Sequence, residues 1–230
     1  QPSAALWPLC HDERMDLSPD DLDRLAHIST RTLSHYDEQA EAFWQGTRGH
    51  DVSQNLAALL RFIDAPAPFD LLDLGCGPGR DLQAFVRLGH RPIGLDGSPC
   101  LADMARAFSG CEVWTQRFER LQLPPARFDG VFANASLFHV PSSLLPRVLS
   151  QLHDTLKPGG VLLSSNPRGD GREGWQGDRY GVFHDLDGWR RHMVRAGFVE
   201  LMHYYRPEGL PLAQQPWLAT VWRKPVPESS

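Results

Sequence analysis

Several features that define large functional classes are missing from this chain. No apolar run approaches the roughly twenty residues needed to span a bilayer, and the first fifteen residues lack the apolar core of a secretory signal. There is no block of lysine and arginine, and 23 basic against 28 acidic residues give a net charge of -5. Without a basic field, neither nucleic acid nor a membrane is an expected partner. The four cysteines, Cys10, Cys76, Cys100 and Cys111, are scattered without metal-ligand spacing. No metal site or disulfide framework is therefore expected, and reduced thiols suit a cytoplasmic protein. Internal repeats are absent, and only the tail 225–230 is a polar low-complexity tract. The first residue is Gln1 rather than methionine, which fits a piece of a longer polypeptide.

What is present points to one α/β domain over 1–230. With 230 residues, 41% of them hydrophobic, the chain is long enough for one well-buried core and short for two. Residues 18–64 form an expected helical cover in three pieces, the first opened by Ser18 and Pro19, the last carrying Leu56, Leu59, Leu60 and Ile63 on one face. Over 65–224, strand and helix patterns alternate, with strands expected near Leu71, Ile93, Val113, Val131, Val161, Val199 and Val221. That alternation predicts a Rossmann-like, doubly wound seven-stranded sheet whose last two strands form an antiparallel edge pair. A helix over 144–156 is expected to stop at the turn Lys157-Pro158-Gly159-Gly160. Ligands of such sheets gather outside the carboxyl ends of the strands.

At the first of those ends stands Leu71-Leu72-Asp73-Leu74-Gly75-Cys76-Gly77-Pro78-Gly79-Arg80-Asp81. Alternate glycines let the backbone turn tightly and approach a ligand, and the turn feeds a helix N-terminus. A dinucleotide fingerprint has a third glycine where this chain has Arg80. The second strand ends in Asp96, about twenty residues past the glycines, where a carboxylate can accept both ribose hydroxyls; capping the next helix is its alternative role, though Ser98 already suits that. This pattern resembles the first motif of class I methyltransferases that use S-adenosylmethionine and release S-adenosylhomocysteine. The resemblance implies cofactor contacts from Asp73, Gly75, Gly77, Arg80, Asp96, Gly97 and Ser98. After the third strand the class places an acid for the adenine amino group, but this chain has Arg117, leaving Gln116 and a stacking Phe118 as candidates; Phe118 as plain core is equally open.

Beyond the fourth strand, Asn134 is expected between cofactor and acceptor, and His139 is either a general base or a packing residue. Residues 166–184 form a long glycine-rich insertion, read as a lid over a polar acceptor. Trp175, Tyr180 and Phe183 can wall a ring, and Arg168 or Arg179 can hold a carboxylate. The alternative is a solvated loop whose arginines pair with Asp170, Glu173 or Asp178.

The segment 36–55 is dense in hydrogen-bonding groups. Tyr36, at a position where this methyltransferase class starts a cofactor-covering helix, can reach the methionine carboxylate with Thr47 and Arg48, while Phe43 and Asn55 face the acceptor; Asp51 also suits a helix cap. Four segments together carry a finer resemblance: Phe43-Trp44-Gln45-Gly46-Thr47-Arg48-Gly49-His50-Asp51-Val52-Ser53-Gln54-Asn55, the glycine turn, Phe132-Ala133-Asn134-Ala135-Ser136-Leu137-Phe138-His139-Val140, and Ser165-Asn166-Pro167-Arg168-Gly169-Asp170. These are similar to the C-terminal methyltransferase domains of ovothiol synthases, over most of 34–224. That resemblance implies N-methylation of 5-thiohistidine to ovothiol A, with an iron-dependent sulfoxide synthase domain as fusion or working partner. It places Asn134, His139 and Tyr180 at the reacting ring, with Asn166, Arg168, Trp175, Arg179 and Phe183 around the acceptor. A methyltransferase for another small acceptor, a carboxylate or a phenol, shares the cofactor half. A non-catalytic module that binds the cofactor is the remaining reading.

Overall fold

The structure, a computed structural model, describes residues 18–227; Cys10, the first fifteen residues and the last three lie outside that range. Three helices come first: α1 Pro19–Glu38, α2 Ala40–Thr47 and α3 Ser53–Arg61. Ser18 caps α1 by accepting from the Asp21 amide at 3.1 Å, and Pro19 with Asp20 and Asp21 completes a favourable first turn. Strands and helices then alternate as β1 Asp70–Leu74, α4 Arg80–Arg87, β2 Arg91–Asp96, α5 Pro99–Ser109, β3 Val113–Thr115, β4 Phe128–Asn134, α6 Leu145–Thr155 and β5 Leu156–Pro167. A hairpin, β6 Arg172–Gln176 and β7 Arg179–Phe183, precedes α7 Leu186–Arg195, β8 Val199–Arg206 and β9 Trp217–Arg223.

The main sheet has seven strands in the order β3-β2-β1-β4-β5-β9-β8. The first five are parallel to one another, and β9 runs antiparallel between β5 and β8. Alternation along each strand feeds two cores. Leu72, Leu74, Val131 and Ala133 meet α6 and α7 through Val148, Leu152, Trp189 and Met193. Leu71, Phe132, Val161 and Val221 meet α3 and α4 through Leu56, Leu59 and Phe85. Burial on both faces explains why the parallel strands read as near-continuous apolar runs.

Two expectations change in detail. Lys157 to Gly160 belongs to β5, not to a free turn: pairing jumps from Phe128 opposite Leu156 to Gly130 opposite Val161, with Gly159 at φ 78° inside the irregularity. The insertion after β5 is a two-stranded sheet, with Gly177 at φ 61° in its turn. Its backbone groups pair with each other, so an insertion that read as glycine-rich loop is regular structure.

At the amino end of the sheet a cluster of charges closes on itself. Asp70 faces Arg91 at 2.8 Å, Arg127 at 3.3 Å and Lys157 at 3.3 Å. Asp129 accepts from Lys157 at 2.8 Å and from the Asp70 amide at 2.8 Å. The Arg91 hydrogen bond, helped by Lys157 and Arg127, holds the Asp70 carboxyl down at about 2.

Candidate active site

The carboxyl end is built differently. Beyond β1, the amides of Gly75 and Cys76 donate to the Leu95 carbonyl at 2.7 and 3.0 Å, which tightens the turn against β2. Gly75 and Gly79 have φ of 73° and 92°. A Cβ on Gly79 would lie 2.9 Å from Ala105 Cα, and one on Gly75 would run into the Ser136 side chain, so both positions need glycine for approach as well as for conformation. Gly77 donates its amide to Asp96 at 2.8 Å, and Ser98 donates to the other Asp96 oxygen at 2.9 Å. Burial pushes the Asp96 carboxyl up to about 6 despite those bonds.

Between α1 and this strand edge lies an inner cavity, with Tyr36, Asp96, Gly97, Gln116, Phe118 and His139 among its walls. Ser98 is not among them: its hydroxyl caps α5 by accepting from Leu101 at 3.0 Å and donates to Asp37. Gln116 lines the cavity but its amide is folded onto the Gln122 backbone at 2.8 and 3.3 Å. Phe118 both lines the cavity and packs against the core. Arg117 reaches Thr30 at 2.9 Å. Two residues further on, the wall gains the buried Glu119, an acid displaced from the position, here Arg117, at which one was expected.

An outer basin of about 460 Å³ shares Tyr36, Phe43, Gly75, Gly77 and Ala135 with the inner cavity. Its walls include Phe138, Trp217 and Asn134, and three guanidinium groups, Arg80, Arg179 and Arg206, line it. Arg80 is held by Asp81; Arg206 donates to the Asp51 carbonyl at 2.6 Å, and among the described residues neither it nor Arg179 has a carboxylate partner. Neither Arg206 nor Trp217 was expected from the sequence: Arg206 ends β8, which runs with the five parallel strands, and Trp217 begins antiparallel β9, which brings its start to the same edge.

A chain of polar contacts runs beneath the basin. Arg80 grips Asp81 through two bonds at 2.7 and 2.9 Å and donates to the Thr47 carbonyl at 2.8 Å. Asn134 donates to Asp81 at 3.3 Å and accepts from Asn55 at 3.1 Å, and Asn55 accepts from the Tyr204 hydroxyl at 2.7 Å. Asn55 is therefore a buried support behind Asn134, not a wall residue. Thr47 lines the basin, but its hydroxyl is turned to the Phe43 carbonyl at 2.7 Å. Arg48 is exposed over an adjoining groove that shares Trp44, His50, Asp51, Val52, Arg80 and Asp81 with the basin, and does not itself line the basin.

His139 has its Nδ1 2.6 Å from the Tyr180 carbonyl and its Nε2 2.9 Å from the Tyr36 hydroxyl. A carbonyl only accepts, so Nδ1 carries the proton and Nε2 accepts from Tyr36. Burial lowers this imidazole to about 4. Both nitrogens are engaged and protonation is disfavoured, so the geometry assigns His139 to holding Tyr36 and the hairpin rather than to proton abstraction. Tyr180 donates its hydroxyl to Glu173 at 2.9 Å, away from both cavities, and burial together with Glu173 raises it to about 12.

Four further acceptor candidates are not brought to the basin. Arg168 donates to the Leu212 carbonyl at 2.7 Å and lies over Tyr205. Asn166 accepts from the Phe138 amide at 3.2 Å. Trp175 stacks under Arg31, 4.3 Å from its guanidinium, and Phe183 is core beside Phe138. Of these only Trp175 helps to fasten the hairpin to α1, through Arg31, which also pairs with Asp178 at 2.9 Å; Tyr180 adds its amide to Thr32 at 3.1 Å.

Residues 71–160 match the model of a family described as a methyltransferase domain. Over those residues this chain carries a methyltransferase domain. A trans-aconitate 2-methyltransferase of Azoarcus is 36% identical over 116 residues, covering 47% of this chain and 44% of that protein. An 18S rRNA (guanine-N(7))-methyltransferase of Schizosaccharomyces pombe is 26% identical over 152 residues, covering 60% and 57%. The chain thus spans about half the length of the curated relatives it matches. In fold it resembles the 1,6-didemethyltoxoflavin-N1-methyltransferase of Burkholderia thailandensis, a structure with S-adenosylhomocysteine bound, at a TM-score of 0.70 and 23% identity over 88% of this chain and 89% of that one.

The residues present fit S-adenosylmethionine, the methyl donor whose demethylated product that Burkholderia thailandensis structure holds. Asp73 Oδ2 and Ser136 Oγ are buried beside the turn without a partner among the described residues. Burial, then the neighbouring Asp81 charge, pushes Asp73 well above the usual carboxylate range. A cationic amino group placed there would relieve both defects, since an unpaired buried acceptor is costly. The methyltransferase turn, Asp73 and Asp96 are the residues that would hold the cofactor's amino acid and ribose ends.

Proposed function

We propose that this chain methylates an imidazole nitrogen of 5-thiohistidine, giving ovothiol A, and works with or is fused to an iron-dependent sulfoxide synthase domain. The observation that carries the acceptor class is the outer basin. It joins aromatic walls, Phe43, Phe138 and Trp217, to two arginines with no carboxylate partner among the described residues, next to the cofactor turn. A flat ring bearing an amino acid carboxylate matches that combination, with Arg179 or Arg206 gripping the carboxylate in a two-point contact.

S-adenosylmethionine supplies the activated methyl on its sulfonium. The chain's own task is alignment: the aromatic walls orient the ring, the arginines fix its tail, and the Asn134 amide sets the tautomer of the reacting ring by a hydrogen bond. No protein base is required at the nitrogen, because the substrate's own thiolate enriches the ring and the departing proton can reach solvent through the open basin. Tyr36 and Phe43 stand where inner cavity and basin meet, beside the path from donor to acceptor.

A second reading, a small carboxylate acceptor, is favoured by the same pair of arginines and by the trans-aconitate relatives, at 36% identity. A mass-resolved methylation assay over 5-thiohistidine, histidine and trans-aconitate decides between them. Methyl transfer to 5-thiohistidine alone is expected; transfer to trans-aconitate alone would replace the first reading with the second, and cofactor binding without transfer to any acceptor would overturn both.

A further inference from the structure

The polar chain beneath the basin has a direction, and its direction is set from one end. Asp81 is clamped by the Arg80 guanidinium through both oxygens, and a carboxylate so held only accepts. The Asn134 group facing it at 3.3 Å must therefore be the NH2, which turns the Asn134 oxygen to Asn55. Asn55 must answer with its own NH2, at 3.1 Å, which leaves its oxygen toward Tyr204. The Tyr204 hydroxyl, 2.7 Å away, then has to donate. An amide is nearly symmetric in shape, so packing alone distinguishes poorly between its two ends. Here charge at Asp81 and a donor at Tyr204 leave one arrangement with every contact satisfied.

We propose that Asn55 and Tyr204 are positioning residues for methyl transfer: by closing this chain they hold in place the Asn134 amide, whose orientation toward the acceptor Asp81 sets. The proposal rests on the methyl-transfer reading above. Asn55 is fully buried and Tyr204 lies on β8 at the far edge of the sheet, and neither lines the basin. With the chain intact, Asn134 keeps one N–H and one oxygen lone pair for the reacting ring, in a fixed arrangement. A flipped amide would set its oxygen against the Asp81 carboxylate and offer the ring the opposite pattern.

The test uses Tyr204→Phe and Asn55→Asp in the chain as it stands. Tyr204→Phe keeps the ring and deletes the last donor; kcat should fall roughly tenfold on whichever acceptor the panel identifies, with cofactor affinity within about twofold of wild type. Asn55→Asp gives Asn134 an acceptor where it needs a donor and should cost more, roughly a hundredfold in kcat. Asn55→Gln, which keeps the amide, should recover part of that loss. A second readout needs no turnover: the side-chain NH2 pair of Asn134, identified by its loss in Asn134→Ala, should be sharp in wild type and broadened or shifted in Tyr204→Phe. Unchanged amide signals and unchanged kcat in a folded Tyr204→Phe protein would overturn the proposal. So would a kcat loss matched by an equal loss of cofactor affinity, which marks general loosening. If no acceptor is methylated, the 5-thiohistidine reading fails on its own, and the amide spectra still decide whether the chain holds Asn134.

Discussion

The two ends of one sheet treat their acids in opposite ways. At the amino end Asp70 is surrounded by Arg91, Arg127 and Lys157 and is held at about 2. At the carboxyl end Asp96 is pushed up to about 6 and Asp73 well above its usual range, chiefly by burial, and Asp73 Oδ2 has no partner among the described residues. The strands are the same and the residue type is the same; what differs is that Asp73 and Asp96, unlike Asp70 or the neighbouring Asp81 that Arg80 holds, form no ion pair with a basic side chain among the described residues. An end that closes its own charges contributes to stability, and an end that leaves them open is prepared for a ligand.

That contrast can be broken most directly at Asp96. Asp96→Ala should weaken S-adenosylmethionine binding about ten- to a hundredfold by calorimetry, the worth of charge-assisted bonds to a ribose; unchanged affinity in a folded variant would remove the role. Next comes Arg179→Ala, expected to raise the acceptor KM about tenfold while the cofactor KM stays put. Equal effects on both constants would shift the carboxylate contact to Arg206. Asp70→Ala tests the other end: a loss of about 1–2 kcal/mol in urea unfolding with kcat/KM unaltered, whereas a kinetic defect would show that the ends are not independent.

Acid titration gives the smaller effects, with opposite signs at the two ends. The Asp70 carboxyl is depressed in the fold, so its contribution is present above the ordinary carboxylate range near 4 and is lost as pH falls toward about 2. Asp96 is raised, so its ionisation costs the cofactor-free chain stability above about 6, and that cost disappears as pH falls to about 4. Thermal melts of the cofactor-free chain should therefore improve slightly from pH 7 to pH 5 and worsen below 4. Saturating cofactor should remove the first trend and spare the second. His139, at about 4, should leave no step in kcat between pH 6 and 8; a step near 6.5 would restore it as a base.

Legibility followed the range over which each feature is encoded. The seven strands, the glycine turn and Asp96 are written in contiguous residues, because a buried parallel strand and a ligand-approaching turn impose local patterns. The helix starts at Ser18 and Ser98 were equally local. What stayed hidden depends on partners far along the chain. Tyr204 meets Asn55 across 149 positions, Arg31 takes Asp178 across 147, and nothing in either local window announces the other. Arg168 and Arg206 look alike in sequence, yet Arg168 turns to the Leu212 carbonyl and Arg206 lines the basin. Inside the insertion Arg172 meets Asp170, a pairing expected of a surface loop, whereas Asp178 is taken by Arg31 of α1 and Arg179 lines the basin.

Tyr180 meets His139 through its main-chain carbonyl and Thr32 through its main-chain amide. Every amino acid carries that carbonyl, and only proline lacks the amide hydrogen. The fastening of the hairpin to the cofactor cover is thus written in no letter of the alphabet at position 180. Exchanging residues there one by one should yield a nearly flat response in activity until proline arrives, so a part of the enzyme essential to its closed shape is one that side-chain scanning would record as expendable.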